Sequence, residues 1–222
     1  IYMYTVEEIK EKIKSGEWTE ADVKLIIADL QESSDLAAHI SEIYFTSYGV
    51  FVYNFRECVH LMIAICQEAK LLLGPSKEKS LIYLALVRIY FCMGFLPKVV
   101  EYSLKYAGSG YTLRDNLKSV YNTLVAAFTD CGLYKEADIY LEKMMDISRL
   151  DPCGPDKDFW SSDVMNEFVY YDSKVYVMLG MGRRREAEQA SWDSGRLLMQ
   201  EGIPEEGRSF FRLQKECTDM YL

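Results

Sequence analysis

Cys58 and His60 are the closest the sequence comes to a metal-binding or nucleophilic pair. Two residues apart on a helix, they point in different directions, so no shared zinc ion is expected. The other cysteines (66, 92, 131, 153 and 217) lie far apart and form no CxxC pair, and His39 is the only other histidine. Five of the six cysteines sit in apolar, helix-like stretches, where a free thiol behaves as a small hydrophobe. With no secretion signal, a reduced, cytoplasmic protein is the expectation. Neither GxSxG, HExxH nor a P-loop is present. The glycines of "GMGRRREAEQ" follow no strand-like segment and make no dinucleotide fingerprint. Glu7–Glu8 and Glu205–Glu206 read as solvated helix starts favoured by the helix dipole. Nothing argues for an enzyme within these residues, and no cofactor is expected.

Charge narrows the partners. The net charge of −9 counts against nucleic acid, since phosphate binding draws on clustered Lys and Arg, and Arg183–Arg185 is the only such cluster. No apolar run is long enough for a membrane helix. The 17 tyrosines and 10 phenylalanines look like a stacking resource, but most recur at helical core spacing.

The elements that would position any site are helices. Thr5–Glu8 is a capping box opening one helix, which Ser15–Gly16 closes; Thr19–Asp22 opens the next. From Asp35 onward the apolar positions follow helical period, interrupted by "GPSKEKS", "GSGYTLRD", "DPCGPDKDFWSSD" and "EGIPEEG". The segments between these breaks suit helical hairpins better than single helices. One pattern recurs inside them: a glycine, a large residue two places on and a small residue five places on. It is clear in Gly94–Leu96–Val99 and Gly132–Tyr134–Ala137, weaker in Gly182–Arg184–Ala187 and weakest, without the glycine, before Cys58. Such internal repetition signals stacked helix pairs. Glycine would end the first helix in a left-handed conformation, the large residue would plug the corner, and the small one would let the helices cross closely.

These residues resemble the tetratricopeptide repeat (TPR). The best copy runs through Tyr121, Leu124, Val125, Phe128, Gly132, Tyr134, Ala137, Leu141 and Met144. Tyr83, Leu86, Val87, Tyr90, Gly94, Leu96 and Val99 match similarly. Copies lie 38 to 50 residues apart, more than the family's usual 34. The resemblance implies an all-α fold, a right-handed superhelix of about four hairpins (34–200) between N-terminal capping helices (1–33) and a C-terminal helix (201–222), all in one domain. More loosely, the chain is similar to the N-terminal helical-repeat regions of bacterial signalling proteins, such as diguanylate cyclases with a GGDEF domain, although it shows no GGDEF motif. The ending "SFFRLQKECTDMYL" has no stop signal, as if a domain followed.

In that family the first helix of each hairpin lines a concave groove that holds a peptide or protein partner. Carried over, the groove positions are Leu81, Leu84, Arg88 and Phe91, then Ser119, Asn122, Ala126 and Thr129, then Val169, Asp172, Tyr176 and Leu179. The poorest copy offers Ile43, Ser47 and Val50. Asn122 can donate to and accept from one peptide group, and Arg88 can pair with a carboxylate in two-pronged fashion. One Arg and one Asn do not complete the family's carboxylate clamp. Trp160 is a candidate lid over the groove. Three readings follow: a peptide- or protein-binding sensor or adaptor, the regulatory part of a diguanylate cyclase with catalysis outside these residues, or a structural module forming a homodimer through Phe210 and Phe211.

Overall fold

Thr5 and Glu8 exchange two hydrogen bonds: the Glu8 amide donates to Thr5 Oγ1 (3.2 Å) and the Thr5 amide to Glu8 Oε2 (2.8 Å). Thr19 and Asp22 repeat the arrangement at 3.2 and 2.6 Å. The capping box read at Thr5–Glu8 is therefore formed, and the helix start read at Thr19–Asp22 closes in the same way. The computed structural model describes residues 55–150, 159 and 162–222, with single positions between 5 and 28. Ile43, Ser47, Val50, Tyr53 and Trp160 lie outside the described residues.

The described residues are all-α, with eight helices and no strand. The chain divides into two units, Ile1–Leu113 and Arg114–Leu222. The first holds α1 (Phe55–Leu72), α2 (Lys77–Cys92) and α3 (Leu96–Ala107). The second holds α4 (Arg114–Asp130), α5 (Tyr134–Leu150), α6 (Asp163–Gly180), α7 (Arg184–Leu197) and α8 (Glu205–Asp219). Cys58 and His60 fall on α1, as helical spacing requires.

Three short turns join α2 to α3, α4 to α5 and α6 to α7, and each is built alike. Gly94, Gly132 and Gly182 sit at φ of 67°, 72° and 73°. The amide after each glycine reaches back to the carbonyl of Tyr90, Phe128 or Met178 at 2.8–2.9 Å. The glycine amide itself bonds Phe91, Thr129 or Leu179 at 2.9–3.0 Å. This paired closure satisfies helix-end carbonyls and requires the left-handed residue. Nothing lies within 4 Å of a Cβ built on Gly132, so the cost of a side chain there is conformational alone. Gly132→Ala is expected to destabilise by about 1 kcal/mol. Gly74, equally open but without a positive φ, is the control, and Gly74→Ala should be neutral or slightly stabilising in the same urea titration.

Val99, Ala137 and Ala187, the small residues of the pattern, are fully buried, as close crossing demands. Tyr134 corrects the expected role of the large residue. Its ring lies against Gly180, the last residue of α6, where a Cβ would run into it. It therefore packs one hairpin onto the next rather than only filling its own corner.

In the first unit Met62, Ile65 and Cys66 of α1, Ile82, Leu86 and Ile89 of α2, and Tyr102 and Tyr106 of α3 are buried. Burial pushes the Cys66 thiol up to about 12. In the second unit one cluster joins Val125, Ala137, Leu141, Val175, Met178 and Ala187 across α4 to α7. A polar link reinforces it: Glu142 of α5 accepts from the Tyr170 hydroxyl (2.6 Å) and the Lys174 amine (2.9 Å), both on α6. Burial first, then the Glu142 carboxylate, pushes Tyr170 up to about 12. A second cluster, Phe168, Leu197, Ile203 and Phe211, seats α8 on α6 and α7.

Candidate functional site

Arg114 fixes one end of the site. Its guanidinium bonds Asp115 (3.1 Å) on its own helix and Asp163 (3.4 Å) in the first turn of α6, so the starts of α4 and α6 are tied together. Ser162 caps α6 by accepting from the Met165 amide (3.2 Å), while its hydroxyl donates to the Phe159 carbonyl (2.6 Å). These contacts set the register in which Met165, Asn166 and Val169 face α4.

From α4, Asp115, Lys118, Ser119 and Asn122 share one face at offsets of three and four. The two faces and Met144 of α5 enclose a cleft of about 280 Å³. Three groove positions named from the sequence, Ser119, Asn122 and Val169, are brought together there. The Asn122 carboxamide makes no hydrogen bond among the described residues. Asn166 Nδ2 is buried and without a partner, although an amide left so costs about 1–3 kcal/mol. Lys118 is buried with its amine 3.9 Å from Asp115. Lys118 and Asn166 were not among the residues read as groove-lining. Lys118 immediately precedes Ser119, and Asn166 lies one helical turn before Val169, outside the repeat pattern that located the others.

The remaining candidates separate. Thr129, farther along the same face of α4, has its hydroxyl buried and unpartnered. Asp172 and Tyr176, both half-buried, are engaged by α8 and the residues after it. The Thr218 hydroxyl donates to Asp172 and lies 3.2 Å from the Tyr176 hydroxyl, and Tyr221 meets the Tyr176 ring edge-on at 5.3 Å. Burial raises the Asp172 carboxyl and the Thr218 hydrogen bond partly restores it. Leu179 packs against the core of the second unit. In the first unit Leu84, at 2% exposure, lies in the core. Arg88 is half-buried and already partnered, and Phe91 is exposed.

No cluster of three metal-ligating side chains occurs among the described residues, and none of their helices is long and apolar enough to cross a membrane. Compared with protein-family models, curated proteins and solved structures, the chain matches none. The TPR resemblance therefore stands on the residues themselves.

Proposed function

We propose that the chain is a non-catalytic, TPR-like module that holds a peptide or protein segment along α4 and α6, as the sensor or adaptor part of a larger bacterial signalling protein. The observation that carries this reading is the pairing of Asn122 with the buried, unpartnered amide of Asn166 in one cleft. A carboxamide both donates and accepts, which matches a peptide group and is independent of the side chain that follows it. Two such groups on facing helices suit an extended backbone, and Met144, Met165 and Val169 supply adaptable apolar contact between them.

The three similar turns and the buried small residues support the repeat reading, since each copy of the pattern builds the same closure. Self-association through Phe210 and Phe211 is less well supported, because Phe211 is spent inside the chain's own core. The test begins with peptides selected from a random heptapeptide display on the 222-residue chain. Fluorescence anisotropy then compares the best peptide on the parent, Asn122→Ala and the Asn122→Ala/Asn166→Ala double variant. Affinity should fall about 10-fold for each amide removed, the cost of leaving a peptide group unpaired. Unchanged affinity in the double variant removes the groove assignment.

A further inference from the structure

A second concavity, of about 390 Å³, lies in the first unit, between the start of α2 and the end of α3. Every polar side chain in its lining is an amine or a hydroxyl: Lys79 and Lys105, three serines and two tyrosines. No carboxylate stands among them, in a chain whose net charge is −9.

The positive charge is not cancelled nearby. Lys79 makes no ion pair among the described residues; its amine donates to the Leu73 carbonyl at 2.8 Å and keeps its other N–H groups for a ligand. Lys105 pairs with Glu101 at 2.6 Å, but the same carboxylate holds Lys98 at 2.6 Å, so one negative charge serves two cations. Behind them Lys70 brings another ammonium to 5.4 Å from the Tyr102 ring, with only Gln67 and the Tyr102 hydroxyl as hydrogen-bond partners among the described residues. Lys77 and Glu78, exposed on the first turn of α2, lie outside the lining and oppose each other. The hydroxyls of Tyr83 and Tyr111 make no hydrogen bond among the described residues.

We infer that this concavity binds a small phosphate ester. Lys79 and Lys105 take the phosphate, the Tyr83 and Tyr111 hydroxyls donate to it, and Leu104 with the two tyrosine rings takes the organic group. A phosphate is favoured over a carboxylate because its three strong acceptor oxygens match a lining that donates from two amines and several hydroxyls and holds no acceptor-only side chain. A small molecule is favoured over a nucleic acid or an acidic protein because the volume suits a small-ligand site and the net charge repels a large polyanion. The concavity belongs to the first unit and the Asn122 cleft to the second, so neither reading depends on the other.

Protein-observed NMR titration of the 222-residue chain tests it with three probes: phenyl phosphate, inorganic phosphate and benzoate. Phenyl phosphate should shift the amides of Lys79 and of residues 108–111 saturably, bind about 10-fold more tightly than either other probe, and weaken as salt rises. Lys79→Gln and Lys105→Gln should each weaken it about 10-fold, the cost of losing a hydrogen bond to a charged group. Lys77→Gln, which removes an exposed charge outside the lining, should change it by less than about 2-fold. The Tyr83→Phe/Tyr111→Phe variant, which removes only hydroxyls, should also weaken it, with no change in melting temperature. No saturable shift at those amides, or full binding by the Lys79→Gln/Lys105→Gln variant, overturns the site. Equal binding of benzoate overturns the phosphate, and equal binding of inorganic phosphate overturns the organic group.

Discussion

Phe211→Ala is expected to remove about 3–5 kcal/mol from the stability of the second unit, the usual range for deleting a buried phenylalanine. Phe211 is fully buried and stacked on Phe168, with ring centres 3.9 Å apart and planes within 8°. Phe159 leans on it at 5.5 Å and also lies against Gly207, where any side chain would collide with its ring. The deletion therefore opens a cavity under α8 that rigid rings cannot close. Hydrogen exchange should show lost protection in the peptides of α6, α7 and α8, together with a lower melting temperature. Phe210→Ala, only half-buried, should cost clearly less. Equal effects of the two would mean that the Phe168 stack does not hold α8. A charge at position 211 would likewise unfold this helix, so loss of a dimer in such a variant would say nothing about an interface.

The sequence carried the helices and the turns because both are set locally. The capping box at Thr5, the helix start at Thr19, breaks at "GPSKEKS" and "EGIPEEG", and glycines at 94, 132 and 182 each determine a few backbone angles with neighbours in the chain. The candidate site was legible only in part. One repeat position shows why, since it has three outcomes. In the first copy it is Leu84, which is core; in the second it is Asn122, which lines a cleft; in the third it is Asp172, which α8 engages through Thr218. Local pattern places these side chains on equivalent faces, but what covers each face is decided by whichever element packs there, and that information lies up to 46 residues away. Tyr134 is the same case, as its packing partner Gly180 belongs to the next hairpin. Asn166 was missed for a different reason: it precedes the repeat pattern, and only the Ser162 cap fixes the register that turns it toward α4.

Ala137→Leu is expected to destabilise the second unit by about 1–3 kcal/mol or more, through overpacking rather than loss. Ala137 is fully buried in the cluster with Val125, Leu141 and Met178, where α5 crosses its neighbours. Three added carbons have no void to enter, and the helix cannot retreat because the Gly132 closure fixes its start. The larger residue is also the more hydrophobic one, so a stability set by apolar content alone would rise. A fall therefore reports the close crossing itself. Ile139→Ala, two residues on and 55% exposed, supplies the contrast and should change stability by no more than about 0.5 kcal/mol. Ala187→Leu tests whether the third hairpin uses the same device, since Ala187 is equally buried behind Gly182. Similar losses at 137 and 187 in chemical denaturation would mark the small residue as a shared requirement of the repeat. A loss at only one would mean that the two hairpins cross differently despite their matching turns.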